Sequence, residues 1–386
     1  MDTDRAQPCR TGFVAVCSAA GHCLESVKKK TSASRPFLLS SFLLISGGLL
    51  PLAVHAEEAT DKPWTLNLYF ENDLFAETDQ NYTNGIRAAW VSPNIDNYLH
   101  DKRLPVWVRK INRYVPLFDP ASSHGEKVQR NLVLSLGQQI YTPENIELTT
   151  LDSGDRPYAG WLYAGAAYHS QTQDRLNSAE LNIGIIGPAA LGQEAQDFIH
   201  DLRGFDKFQG WDNQLKNEPG IQLVYESKYR WLREQLTGIL SYDLIVHNGI
   251  SLGNVATYVN SGAEMRLGWH LPYDFGTSAL RPGGDNSAPG VSDDRYNKYA
   301  RQQNLGAHLF ISGDGRWVLQ DIFLDGNTFI DGHSVDKRPL VGEIAIGFAT
   351  LYKGWKISFA RVHRSREFKG QKTGHNYGSL SVSYSF

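Results

Sequence analysis
Apolar and polar residues alternate with period two through most of this chain, the spacing of strands that show one apolar face. WTLNLYFENDLF (64–75) puts Trp64, Leu66, Leu68 and Phe70 on one side, with Thr65, Asn67 and Glu71 on the other. RNLVLSLGQQIY (130–141) sets Leu132, Leu134, Leu136 and Ile140 against Asn131, Ser135 and Gln139. VATYVNSGAEMRLGW (255–269) and the terminal YGSLSVSYSF repeat the pattern. Twelve such segments are predicted: 64–75, 82–92, 130–141, 157–170, 176–187, 219–231, 236–247, 255–270, 304–325, 340–350, 355–367 and 376–386. The ninth counts as one strand only if Gly313-Asp314-Gly315 forms a bulge.

Two all-β architectures fit alternation. A soluble sandwich buries its apolar faces, whereas a transmembrane barrel turns them to lipid and keeps a polar interior behind aromatic girdles. Here the second face carries charges, amides and glycines. Aromatics stand near strand ends (Trp64, Trp90, Trp161, Tyr163, Trp231, Trp269, Trp355), and the last strand closes on Phe386. These features favour a transmembrane antiparallel β-barrel, and an even strand number with both ends periplasmic follows. The connections 93–129 and 271–303 then become long periplasmic insertions, the second rich in Gly, Pro, Asp and Ser and expected to be mobile.

One segment breaks the period. In LGQEAQDFIHDLRGF, Leu191, Ala195, Ile199 and Leu202 recur at helical spacing, Gln193, Gln196 and His200 share the opposite face, and Gly204 is a stop signal. The pattern predicts a short helix in an extracellular loop. Its apolar stripe should pack on the barrel rim or bilayer boundary, with His200 turned toward the ends of strands one and two.

Composition narrows the setting. Lys28–Lys30, the apolar run 37–54 and Val54-His55-Ala56 read as an export signal cleaved after Ala56, within a leader of residues 1–56. The unusual stretch before the lysines predicts initiation near Val27. All three cysteines (Cys9, Cys17, Cys23) lie in this leader, so residues 57–386 have none and no disulfide framework is expected. The leader holds 6 of the 38 Lys and Arg and 3 of the 41 Asp and Glu, leaving 32 against 38. That mild acidity argues against a nucleic-acid partner.

Parity gathers the unusual residues at one rim: FENDLF (Glu71, Asn72, Asp73), NYTNG (Tyr82, Thr83, Asn84), DRPYAGW (155–161) and the helix with His200. A neutral histidine can activate water when a partner fixes its tautomer, and an attacked ester carbonyl needs stabilisation of its oxyanion. Asn72 and Asp73 offer the hard oxygens that Ca²⁺ prefers. Asp206 can fold back toward the imidazole to orient it or to touch metal. No G-x-S-x-G elbow supports a nucleophilic serine. The bland alternatives are solvated loop residues, a turn at NYTNG and a loop-to-strand junction at DRPYAGW. Alternation also assigns Asn72 to the lipid face, which hints at a site opening sideways to lipid.

ENDLF…YTNG, DRPYAGWLY, IGPAALGQEAQDFIH and GWDNQLKNEPG together resemble the outer-membrane lipid A 3-O-deacylases, in order, from about residue 64 to the C-terminus. The resemblance implies a twelve-stranded barrel in a Gram-negative outer membrane. It also implies Ca²⁺-dependent hydrolysis of the 3-linked acyl chain of lipid A, the lipopolysaccharide anchor of the outer leaflet. Carried over, His200 is the base, Asn72 and Asp73 lie beside metal and histidine, and Thr83 matches a hydroxyl residue. Gln196 is an oxyanion or substrate contact, and Asp206 stands where the pattern has glutamate. Leu148 and Thr149 replace a basic pair, which puts the lipid A phosphate contacts in question. The rival readings are an outer-membrane phospholipase and a structural or pore-forming barrel.

Overall fold
The computed structural model describes residues 62–73, 81–95, 128–277, 288–297 and 305–386, with residues 106, 109, 110, 299 and 300. The expected leader and most of the 93–129 insertion lie outside the described residues.

Twelve antiparallel strands close into a barrel: β1 Thr65–Asn72, β2 Asn81–Val91, β3 Gln129–Thr142, β4 Ala159–Gln171, β5 Arg175–Ile186, β6 Glu218–Gln235, β7 Leu240–Gly253, β8 Ala256–Trp269, β9 Leu305–Asp321, β10 Leu340–Tyr352, β11 Trp355–Arg364 and β12 His375–Ser385. Each strand pairs with its neighbours in sequence, and β1 meets β12 from Thr65↔Ser385 to Asn72↔Gly378. Beside this seam, Trp64 and Phe386 exchange two backbone hydrogen bonds of 3.0 Å. Both ends of the barrel therefore sit at one rim, the terminal rim; the other is the far rim.

The alternation resolves as a membrane barrel requires. On β3, Leu134 and Leu136 face outward at 62 % and 59 % exposure, while Asn131, Ser135 and Gln139 are buried inside. The interior is polar and ionic, with Glu71, Arg87, Glu180, Lys228 and Arg266 all buried. Among the described residues no helix is long and apolar enough to cross a membrane. Trp64, Trp90, Trp231, Trp269 and Trp355 are exposed as girdle residues should be. Trp161 and Tyr163 are not girdle residues: they stack on each other inside the barrel, 4.2 Å between centroids. Odd parity on β4 points inward, and a stacked pair fills a lumen that side chains must occupy.

The ninth strand is continuous, but its expected bulge lies elsewhere. Gly313 to Gly315 pair without interruption with both neighbours, and the register slips instead opposite Thr257 and Tyr258.

The second insertion is also different from expectation. Its described residues fold into the terminal end of the lumen. Phe275 packs with Leu176 and Ile245, Thr277 donates twice to Glu264, and Asp274 accepts from Arg266, Arg295 and Lys356 at 2.6–2.7 Å. Gly, Pro, Asp and Ser here serve tight packing among charges, which composition alone reads as a loose linker. At the far end, a helical turn, Ile322–Asp325, drops Phe323 onto Tyr141 with ring centroids 4.0 Å apart. Tyr82, Trp161, Ile186, Leu215 and Tyr377 complete that aromatic fill.

Candidate active site on the outer wall
Between β5 and β6 the chain forms helix α1, Gly192–Arg203. Gly204 ends it in the left-handed region (φ 69°), its N–H bonding the His200 carbonyl, a conformation open to glycine at little cost. At the other end, Gly192 lies against Gly160 of β4, and a Cβ on Gly160 would meet Gly192 Cα and Ala190 Cβ at 3.2 Å. Gln138 of β3 donates to the carbonyls of Ala190 and Leu191 at 2.6 and 3.1 Å.

Gln138, Ile140 and Gly160 all carry the outward parity of their strands. Helix α1 is therefore strapped to the outside of the barrel wall, near the far rim, and does not line the lumen. The segment after Gly204 tucks back beneath it: Phe208 and Trp211 join Ile140 and Tyr158 in one buried cluster.

This placement reverses the expected orientation of the helix. Gly192, Gln196 and His200 form the buried face, and His200 is fully enclosed at 0 % exposure. Leu191 and Leu202 are exposed, while Ala195 and Ile199 are only half-buried. Within the apolar stripe it is Ala195 that packs against the wall cluster of Ile140, Tyr158, Phe208 and Trp211. The rule that apolar faces turn inward assumes water outside; outside this wall the solvent is lipid.

The buried side of α1 extends onto a shelf. Register links Asn72 (β1) to Asn84 (β2), Asn84 to Ile140 (β3), and Ile140 to Gly160 (β4). All four have outward parity, and all four are buried. One rung lower, Ile86 and Leu162 are exposed as ordinary lipid-facing residues. Strands lie about 4.8 Å apart, so the Asn72 backbone is about 10 Å from that of Ile140.

The His200 ring packs on the segment that follows the helix, 5.5 Å from the ring of Phe208 and 5.9 Å from that of Phe205, and Phe208 in turn packs with Ile140 of the shelf. Nδ1 lies 2.6 Å from the backbone carbonyl of Asp206. A carbonyl only accepts, so Nδ1 carries the proton. Nε2 lies 2.7 Å from Gln196 Nε2, and an amide nitrogen only donates, so Nε2 offers its lone pair. Both contacts select the same neutral tautomer.

The other expected residues take definite places. Asp206 reaches His200 through its main chain, and its side chain belongs to an exposed residue. Glutamate or aspartate would serve that contact equally. Asn72 and Asp73 are buried at the end of β1. The Thr83 hydroxyl is 2.6 Å from that of Thr142, tying β2 to β3 where their register shifts. Asn84-Gly85 is not a turn, because both residues pair inside β2. Asn84 was legible as an outward position beside Ile86, Ala88 and Trp90, yet Asn-Gly reads first as a hairpin signal.

The longer motifs build the frame around the site. Arg156 bonds Glu367 at 3.2 Å and lies over the Tyr141 ring. Tyr158 packs on Trp211 and Phe208. Asn217 accepts from the Ala189 N–H just before α1, and Glu218 accepts from the backbone of Thr328. Thr149, which with Leu148 stands where the resemblance has a basic pair, offers its carbonyl to Asn213.

A hard cation fits these donors. Asn84 Oδ1 is buried with no hydrogen-bond partner among the described residues, on the rung that carries Asn72, and Asp73 follows Asn72 in the chain. Among the described residues no three His, Cys, Asp or Glu side chains gather as a metal-binding group, so any oxygen set here draws on amides as well as a carboxylate. Such mixed oxygen sets suit Ca²⁺ and not Zn²⁺.

The comparisons agree with this architecture. No curated protein sequence matches the chain significantly. The structure of LpxR from Salmonella typhimurium superposes with a TM-score of 0.62 at 20 % identity, covering 83 % of this chain and 100 % of that one. The beta domain of the Bordetella autotransporter BrkA also matches, at TM-score 0.37 and 11 % identity over 84 % of this chain and 99 % of that one. The profile of the family described as "Outer membrane protein LpxR" matches residues 37–386. The chain belongs to the LpxR family of outer membrane proteins.

Proposed function
We propose that this protein is a lipid A 3-O-deacylase, hydrolysing the 3-linked acyl chain of lipid A with water activated by His200. The observation that carries this reading is the enclosed His200, held as one neutral tautomer on the lipid-facing side of the wall. A histidine serving only solvation has no reason to be sealed between a helix and a membrane wall.

In this reading the far rim faces the outer leaflet. The Asp206 carbonyl holds Nδ1–H, which raises the basicity of Nε2. Water takes the place of the Gln196 amide at Nε2 and gives up a proton as it attacks the ester carbonyl. The displaced Gln196 N–H is then free to donate to the oxyanion. The imidazolium returns its proton to the departing 3-hydroxyl oxygen, releasing a fatty acid. Asn72, Asp73 and Asn84 would hold Ca²⁺, with Thr83 fixing the strand beneath them; when bound, the cation polarises the ester carbonyl. Asp206 contributes through its backbone and not as a metal ligand. The packed lumen supports a wall-mounted site over a pore.

Mass spectrometry of lipid A from cells expressing wild type or His200→Ala is the test. Loss of one 3-linked chain with wild type alone is expected. Unchanged lipid A with new lysophospholipid would instead make the protein a phospholipase. Purified protein should lose activity in EDTA and regain it with Ca²⁺; activity that survives chelation removes calcium from the scheme.

A further inference from the structure
We propose that α1 is itself inserted into the bilayer, its outer face embedded in the hydrocarbon of the surrounding leaflet. This goes beyond the deacylase reading and stands without it. The inward face of α1 is polar and sealed. Its outward face carries Leu191, Phe198 and Leu202, at 51 %, 65 % and 71 % exposure, followed by Phe205 at 42 %. Phe198 and Leu202 stand at i and i+4 on one side of the helix, and Leu191 and Phe205 flank its two ends.

The occupant follows from continuity. α1 lies on outward-parity positions of β3 and β4, and the same strands continue below it as Leu136 and Leu162, both exposed. Those strand residues form the barrel's lipid-facing band. Between that band and the helix stand only Gly160 on β4 and Gln138 on β3, whose amide is bonded to the Ala190 and Leu191 carbonyls; apolar surface resumes on the helix at Phe198 and Leu202. Water is a poor neighbour for these exposed leucine and phenylalanine side chains.

The charges obey the same geometry. Arg203 sits at the C-terminal end of α1 with its guanidinium 5.6 Å from the Phe205 ring. Lys207, beyond the helix, bonds Asp201 at 2.8 Å. Apolar side chains on one face with basic groups at the end are the signature of an interfacial helix, whose long cations reach the headgroups. Insertion at this depth sets the mouth of the His200 shelf within reach of lipid acyl chains, without extraction of a lipid into water.

The absence of cysteine from residues 57–386 makes the test clean. Nitroxide labels are attached to Phe198→Cys and Leu202→Cys in the full barrel, reconstituted in palmitoyl-oleoyl phosphatidylcholine vesicles. Leu162→Cys on β4 serves as the lipid reference and Glu194→Cys, on the exposed polar side of α1, as the water reference. The ratio of collision with oxygen to collision with a water-soluble nickel chelate is read at each site. The expected ratio at 198 and 202 is several-fold above that at 194 and close to that at 162. A ratio at both sites no higher than at 194 overturns the proposal. The probe reports depth and not hydrolysis, so an inactive protein with an inserted helix, or an active one with a wet helix, separates this inference from the deacylase reading.

Discussion
The two ends of the barrel are closed by opposite chemistry. At the terminal rim, Asp274 and Asp243 sit among Arg230, Arg266, Arg295 and Lys356, all buried and bonded to one another. At the far rim, the lumen is filled by rings, and the enclosed histidine and the row of amides lie outside the wall. The charge-rich end has the look of an active centre, yet each of these six groups is bonded to an opposite charge. Buried ion networks of this kind hold a plug in register. The far-rim shelf has an enclosed histidine, an amide oxygen at Asn84 unpartnered among the described residues, and exposed Ile86 and Leu162 one rung below. Density of charge is a poor guide to function; unspent bonding capacity beside an accessible surface is a better one.

Substitutions can break this contrast. His200→Ala should lower deacylase turnover by about 10²–10⁴-fold, the usual worth of a general base, with unfolding in detergent unchanged. Asp274→Ala should do the reverse. It strands Arg266, Arg295 and Lys356, costing about 3–5 kcal/mol of barrel stability, read from the denaturant midpoint, while turnover per folded molecule stays near wild type. If Asp274→Ala abolished turnover of fully folded protein, the terminal network would have a role in the chemistry.

Gly160→Val pushes α1 off the wall and should cost about 10²-fold in turnover, as small misplacements of a catalytic group do. Circular dichroism should report an intact barrel. Asp206→Ala should change turnover by less than about threefold, the scale of exposed substitutions, because its carbonyl remains. A large loss there would mean that the carboxylate acts.

The smallest effect is a pH dependence. Burial raises the pKa of Asp274, but Lys356, Arg266 and Arg295 outweigh that and hold its carboxyl well below the usual range. The folded-state pKa is depressed, so the stabilisation is full above the unfolded value of about 4 and declines as pH falls further. Stability measured from pH 7 to pH 5 should be flat in this contribution, with the loss confined to stronger acid, and Asp274→Asn should remove that acid limb.

Much of the fold was readable because a pleated strand commits alternate residues to opposite faces. Leu134 against Ser135, or Val382 against Ser383, declares both strand and barrel once the polar face proves too ionic for a sandwich. Positions at one rim followed from parity, which placed Asn72, Thr83 and His200 at the same end. Two things were hidden. The apolar stripe of α1 was expected to pack on the barrel rim or bilayer boundary, so the enclosure of the Gly192, Gln196 and His200 face was not read from the spacing. The plug at 271–277 was read as loose chain, because its order depends on partners such as Glu264 and Lys356 that lie on distant strands. Asn84 was visible in the sequence, but a local turn rule outweighed the parity that placed it beside Asn72.

The seam between β1 and β12 has a consequence for biogenesis. Thr65 and Ser385 touch through their hydroxyls at 3.0 Å across 320 residues of chain. Nothing can zip this pair until every intervening strand has been delivered, and such distant closures form late. Asn72 lies on that seam, paired with Gly378, and the His375 ring contacts the Tyr82 carbonyl across it. A partly assembled chain in transit therefore has no finished shelf. Completion of the shelf waits for the last strand to dock, and under the proposed function hydrolysis would wait with it.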